Sequence, residues 1–325
     1  MKFNKYIRKI RILIRGFINS LIFKLLYRKG FDPSKTLIIC GSTRSGSTWL
    51  AELVSSIDGH SQIFEPMHTG YVKEAKKAGI NKNMYVQGND TWLNGQNFFT
   101  RVLSGKVINP WTTSQIPWKK LIKTERLVVK FVRANLILDW LSKHLDVLPP
   151  AMVIRHPCAI IMSQLDKGWA PSKEVLLSNK YFDKYPEIKQ ACNQFDKREE
   201  RAAIAWCMRY HAPLTLIKPY PFVLVCYENL VRNGEQEIKK LFDAWELPLT
   251  KNVLDQLTKP SDTVTENSQV VSGKDPLAGW RNKLTESEVD NILAVLNVFG
   301  MDFYSHELEP NYEKLNEFSI NINNS

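Results

Sequence analysis

Thr36-Leu-Ile-Ile-Cys-Gly-Ser-Thr-Arg-Ser-Gly-Ser-Thr-Trp-Leu50 decides the fold. Its first five residues are a short apolar run rich in β-branched side chains, and Trp49-Leu-Ala-Glu-Leu-Val-Ser-Ser-Ile57 repeats apolar residues at helical spacing. The small residues between them therefore make a strand-to-helix turn, whose unpaired N–H groups face any anion over the helix start. The pattern G-x-x-x-x-G-S-T differs from the nucleotide-triphosphatase pattern G-x-x-x-x-G-K-[ST] at one position, Ser47, where the phosphate-clamping lysine would stand. Arg44, three residues earlier, offers a planar fork suited to two oxygens of a phosphate or sulfate. Small residues also suit a tight turn that holds nothing, so the loop alone leaves ligand binding open.

Outward from this turn, strand and helix patterns alternate. Gln62-Ile-Phe64, Leu127–Val132, Ala151–Ile154 and Phe222–Cys226 read as strands, and helical spacing covers Leu136–Leu145, Pro157 to about Leu165, Asp196–Lys218 and the segment through Phe242. Between 66 and 125, Gly, Asn, Trp and Pro interrupt every long period, predicting one or two helices and a loop region on the substrate side. The alternation predicts an α/β, P-loop-like three-layer fold with a mostly parallel central sheet. Ligands of such folds lie beyond the carboxyl ends of strands, where Glu65, Arg155 and Tyr227 fall.

The chain has 325 residues, 44% of them hydrophobic, which fits one enlarged globular domain. Its net charge of +11 is lopsided, because Lys2, Lys5, Arg8, Lys9, Arg11, Arg15, Lys24, Arg28 and Lys29 all precede the first acidic residue, Asp32. Phe3, Ile7, Ile10, Ile14, Phe17, Leu21 and Leu25 fall on one stripe of the same stretch. The expected division is a basic amphipathic helix over 1–33, the main domain over 34–310 and a polar tail over 311–325. Such a helix either lies on an anionic membrane surface through residues 1–30 or packs on the domain. Charges interrupt every window long enough to span a bilayer, and the pattern is not that of a signal peptide. The five scattered cysteines suggest neither a zinc cluster nor a disulfide framework, so a reducing, cytoplasmic setting is expected, peripheral on the cytoplasmic membrane face if the helix binds lipid.

Three separated segments, Gly41–Leu50, Val153-Ile-Arg-His-Pro157 continuing to Ser163, and Tyr227-Glu-Asn-Leu230, together resemble the sulfotransferases that use 3'-phosphoadenosine 5'-phosphosulfate (PAPS). The resemblance spans roughly residues 36 to 304. It implies a 5'-phosphosulfate loop of Thr43, Arg44, Ser45, Gly46, Ser47, Thr48 and Trp49. It further implies a 3'-phosphate element of Arg155 and Ser163, eight residues apart, and Tyr227 beside the nucleotide, although Asn229 replaces the family's usual aspartate. Ser272, Gly273 and Lys274 would close over the 3'-phosphate, with Trp280 near the adenine. The loop variant, Phe64-Glu-Pro66, and Gly279-Trp-Arg281 followed by Leu284–Val289 are closer to the carbohydrate sulfotransferases than to the cytosolic phenol and steroid enzymes.

The chemistry of the residues agrees with this resemblance. A donor with a sulfated 5'-phosphate and a separate 3'-phosphate needs two anion sites and no γ-phosphate clamp. Backbone N–H groups of Ser45 to Thr48, with Arg44 and the Ser47 and Thr48 hydroxyls, would hold one end. An acceptor hydroxyl must lose a proton while charge grows on the departing oxygen. Glu65 is the expected base, His68 its substitute, and His60 loop surface. Arg44 first and Lys130 second would face the leaving-group charge, with Arg133 able to share it; no motif matches the second lysine of the cytosolic enzymes. Trp92, Trp111, Trp118 and Trp169 are either sugar-stacking platforms or packing. The expected activity is PAPS-dependent transfer to a saccharide or glycolipid hydroxyl, releasing 3'-phosphoadenosine 5'-phosphate (PAP) without a metal. The alternatives are a small-molecule or lipid alcohol as acceptor, or a non-catalytic membrane-docked nucleotide-binding protein. The missing loop lysine and the lack of a magnesium carboxylate argue against a kinase, and no specific nucleic-acid partner is expected.

Overall fold

Five short strands, β1 (Leu37–Gly41), β2 (His60–Phe64), β3 (Arg126–Phe131), β4 (Ala151–Ile154) and β5 (Val223–Cys226), form one parallel sheet in the order β2-β3-β1-β4-β5. The structure is a computed structural model and describes residues 2–216, 218–259 and 275–321, with side chains from 12 to 318. Ser272, Gly273 and Lys274 lie outside the described residues, as do the side chains of Phe3, Ile7 and Ile10.

Strands buried on both faces need apolar residues at every position, because successive side chains point to opposite sides. Leu37 and Ile39 of β1, Val128 of β3 and Val153 of β4 pack with Leu50, Leu241 and Phe242 on one side. Ile38 and Cys40, Val129 and Phe131, and Met152 and Ile154 pack with Ile161, Ile204 and Met208 on the other. Helices therefore cover both faces, and the layers are helix, sheet and helix. The predicted strands are all present, within a residue or two of their expected ends.

The first strand runs into the turn and then helix α2 (Ser47–Val54). The segment 66–125 holds only Lys73–Lys77, Leu93–Leu103 and the single turn Trp118–Leu121. Beyond residue 310, the helix Tyr312–Asn321 buries Leu315 and Phe318 in the main core. Spaced three apart, they share a helix face, and the segment thus carries more structure than its polar composition announces.

Among the described side chains of the amino-terminal helix α1 (Lys2–Leu26), Arg15, Gly16, Asn19, Ser20 and Phe23 touch the body, whereas Ile14, Phe17, Leu21 and Leu25 of the apolar stripe are exposed. His60, expected on a loop surface, begins β2 and is buried, its Nδ1 3.0 Å from the Asp58 carbonyl. Strand pairing with Arg126 draws it inside. Trp280 is buried and stacked on His156, ring centroids 4.7 Å apart, so it serves as packing beneath the sheet's end.

Candidate functional site

Arg44, Thr48, Glu65, Lys130, Arg155, Ser163 and Tyr227 gather at the carboxyl ends of the strands. In the turn, the Ser45 N–H donates to the Ser42 carbonyl at 3.0 Å, so it is not free for a ligand as expected. The N–H groups of Gly46, Ser47, Thr48 and Trp49 make no hydrogen bond among the described residues, as befits a helix start. Gly46 has φ +94°, and a Cβ there would lie 2.3 Å from Cδ2 of Tyr227. Only glycine both adopts this conformation freely and lets the tyrosine ring close on the turn. The Ser42 and Ser45 hydroxyls are buried without a partner among the described residues. The Thr43 carbonyl accepts from Gln164 Nε2 at 3.1 Å, and Trp49 sets its ring edge against Tyr227 and donates to the Lys259 carbonyl.

Two arginines meet at the β1–β4 end. Arg44 Nε donates to Ser163 Oγ at 2.8 Å, and Arg155 Nη1 donates to the Arg44 carbonyl at 3.2 Å. The Arg155 guanidinium lies 4.1 Å from the Tyr227 ring centroid, a cation–π contact, while its Nε is buried without a partner among the described residues. Burial first, and then Arg155, lowers the Arg44 pKa from its usual value. Two arginines near enough for Arg155 to lower the Arg44 pKa, with no carboxylate within 4.0 Å of either guanidinium among the described residues, favour an anion beside them. The position after Tyr227 carries weight the motif alone did not show. Glu228 is buried, accepts the His156 N–H at 2.8 Å and the Tyr304 hydroxyl at 3.1 Å, and so clamps the β4 and β5 ends together. Burial pushes its pKa up.

The third group joins donor loop to acceptor side. Lys130, the fifth residue of β3, is 2% exposed, and its Nζ donates to Thr48 Oγ1 and to Glu65 Oε1, at 2.8 Å each. The register pairs Phe64 with Lys130, which places Glu65 one step past the strand end; its N–H donates to the Lys130 carbonyl at 3.1 Å. Burial lowers the Lys130 pKa and the Glu65 carboxylate works against that. Glu65 itself has φ +42°, a conformation uncommon outside glycine, and such outliers are retained where surrounding contacts over-determine them. Here those contacts are the strand bond to Lys130 and the Trp111 indole, which donates to the Glu65 carbonyl at 3.3 Å.

Trp111 is the one tryptophan of the four that the fold brings to the site. It stacks on Tyr71, centroids 4.2 Å apart and planes 15° apart, and Tyr71 is largely exposed. Trp92 packs on Trp140, whereas Trp118 and Trp169 are exposed elsewhere. His68 lies against both Trp111 and Tyr71; burial first, then Arg133, lowers its pKa, with Glu65 opposing. Sequence reasoning missed Tyr71, whose only signal is an aromatic residue in an irregular stretch. It also missed Arg209 and Lys82, which join Arg133 in one basic neighbourhood.

The unpaired N–H groups, the orphaned Ser45 hydroxyl and Arg155 Nε, and the Tyr227 ring fit a nucleotide with an anion at each end. A sulfotransferase family model matches residues 36–251, two thirds of the chain. The chain therefore belongs to the sulfotransferase family, and it is a PAPS-dependent sulfotransferase by that membership. Solved structures with a similar fold include the sulfotransferase domain of the Synechococcus PCC 7002 olefin synthase, 17% identical with TM-score 0.46 over 84% of this chain and 95% of that one. Another is the sulfotransferase domain from the curacin biosynthetic pathway, 15% identical with TM-score 0.41 over 81% and 97%. A third is a sulfotransferase from Mycobacterium avium, 12% identical with TM-score 0.41 over 86% and 79%. No curated protein matches the chain.

Proposed function

We propose that this chain transfers the sulfuryl group of PAPS to a hydroxyl of a carbohydrate or glycolipid acceptor, with Glu65 as base. The observation that carries this reading is Lys130, which bridges Thr48 in the donor loop and Glu65 on the acceptor side. One Glu65 oxygen is thereby held, and Oε2, which makes no hydrogen bond among the described residues, is free to take the proton of the attacking hydroxyl. The donor supplies sulfur already bonded to a phosphate leaving group. Lys130 and the N–H groups at the start of α2 face the charge that grows on the departing oxygen. In this reading Lys130 comes ahead of Arg44 in that role, a view supported by the turn of Arg44 to Ser163. Arg44, Arg155, Ser163 and Tyr227 then hold the 3' side, and the Ser47 hydroxyl and the N–H groups of Gly46 to Trp49 the 5' side.

The exposed Tyr71, stacked on Trp111 beside Glu65, offers the flat aromatic face on which a sugar ring packs. A second reading, a lipid alcohol without a sugar, is favoured by the apolar row on α1. The test is transfer of sulfur-35 from PAPS to fractionated lipids and polysaccharides, followed by glycosidase digestion of the labelled product. Label on a sugar is expected. Label on a sugar-free alcohol would replace the acceptor, and PAP binding without label in any fraction would leave only a nucleotide-binding protein.

A further inference from the structure

Helix α1 is fastened to the body along a narrow polar face. Asn19 Nδ2 donates to the Thr113 and Ile116 carbonyls at 3.0 and 2.8 Å, Arg15 Nε donates to the Ser114 carbonyl at 2.9 Å, and Thr113 Oγ1 donates to the Gly16 carbonyl at 3.0 Å. At Gly16 the approach is so close that a Cβ would lie 2.0 Å from the Pro110 carbonyl oxygen. These bonds set the rotation of the helix about its axis, and the setting turns the apolar stripe outward. Leu13, Ile14, Phe17, Ile18, Leu21 and Leu25 are each 49–62% exposed.

A row of large apolar side chains kept in water is unfavourable, and scattered surface leucines do not explain six on one helix face. The neighbouring turn Trp118–Leu121, to whose Leu121 carbonyl Tyr27 at the α1 end donates its hydroxyl at 2.8 Å, also leaves Trp118 and Ile122 exposed. Lys24, Arg28, Lys29, Lys119 and Lys123 are exposed in the same two segments, and no acidic residue precedes Asp32. A second copy of so basic a face would be repelled, whereas an anionic bilayer satisfies both the apolar row and the charge. No helix among the described residues is long and apolar enough to cross a membrane.

We propose that α1 and the Trp118–Ile122 segment form one surface that docks in the plane of an anionic membrane. Its apolar row enters the headgroup region and its lysines and arginines stay at lipid phosphates. The segment that anchors α1, residues 109–122, also carries Trp111, whose indole bonds the Glu65 carbonyl. Docking surface and acceptor face are thus built on one stretch of chain, and a lipid-borne acceptor would be met from the membrane side.

The test is flotation of the full chain with phosphatidylcholine vesicles and with vesicles containing one part phosphatidylglycerol in four. The wild type is expected to partition at least tenfold more to the anionic vesicles at low salt, and to lose most of that at about 0.5 M salt. The Phe17→Glu/Leu21→Glu double variant changes only exposed positions; it is expected to keep PAP affinity and melting temperature and to lose at least tenfold in vesicle binding. Failure of the wild type to float, or undiminished binding of the double variant, would overturn the proposal. So would a wild-type dimer that the double variant converts to a monomer without any vesicle binding, since the face would then belong to a second copy. Vesicle binding needs no acceptor, so its failure leaves the catalytic reading standing, and failure of transfer leaves the docking surface standing.

Discussion

Lys130 and Glu65 are joined at 2.8 Å because β2 and β3 pair in a register that sets Phe64 opposite Lys130. The ammonium is almost wholly buried and the carboxylate is 16% exposed, so the pair lies at the wall of the site, with the lysine inside and the glutamate at the opening. A lysine in this position is an expensive group to bury, and Thr48 and Glu65 supply the partners that hold it there.

Substituting Lys130→Met removes a buried charge while leaving Glu65 able to turn to water. Stability is expected to fall, by up to about 3–5 kcal/mol, because removing one partner of a buried pair leaves Glu65 without its cation. Turnover is expected to fall by about 100-fold or more, the loss typical of a removed charge-stabilising donor. Parallel thermal melts and single-turnover sulfuryl transfer measure both; near-normal turnover by the variant that remains folded would make Lys130 a structural residue.

Glu65→Gln keeps the size of the side chain and an oxygen for Lys130 but cannot take up the acceptor proton. Transfer is expected to slow by about 100- to 10,000-fold, with PAP affinity within about threefold of wild type. Turnover within threefold would move the base elsewhere, first to His68, which lies against Trp111 on the same face.

Arg155→Ala removes the cation over Tyr227 and the bond to the Arg44 carbonyl. Calorimetry is expected to show PAP weakened by about 2–4 kcal/mol, and adenosine 5'-phosphosulfate, which lacks the 3'-phosphate, barely changed. Equal losses for the two ligands would remove Arg155 from the 3' side.

Two buried histidines make stability depend on pH. His156 and His211 are each pushed down to about 3, in both cases chiefly by burial. Each is neutral in the fold and ordinary, near 6.5, in the unfolded chain. Below about pH 6.5 the unfolded chain therefore takes up protons that the folded one does not, and stability falls as pH drops toward 3, by up to ~1.4 kcal/mol per pH unit for each histidine. Glu228 acts in the opposite sense: its raised pKa contributes stability below the ordinary glutamate range that is lost as pH rises. His211→Gln, which keeps an acceptor for the Tyr181 hydroxyl, isolates one histidine. Urea unfolding between pH 4 and 6 is expected to show a slope shallower by about one proton; an unchanged slope would mean that His211 titrates normally.

The strands and the anion-facing turn were legible in the sequence because both follow from local chemistry. A strand buried on two faces must be apolar at consecutive positions, and a strand-to-helix turn must be built from small residues. The placement of Glu65, Arg155 and Tyr227 at strand ends follows from the same periodicity. What no local pattern holds is the pairing of distant groups. Arg44 finds Ser163 119 positions away, and Lys130 finds Glu65 65 positions away, through strand register and helix packing. Tyr71 and Trp111 come from a stretch without a period, so only the folded chain could stack them beside Glu65. The apolar stripe of α1 shows the same division. Its spacing defines an amphipathic helix, but which side faces out was decided by Gly16 and Asn19 meeting the carbonyls of residues 110–116. Hydrogen bonds to those carbonyls orient the helix, and spacing alone cannot tell a stripe that packs inward from one that is left exposed.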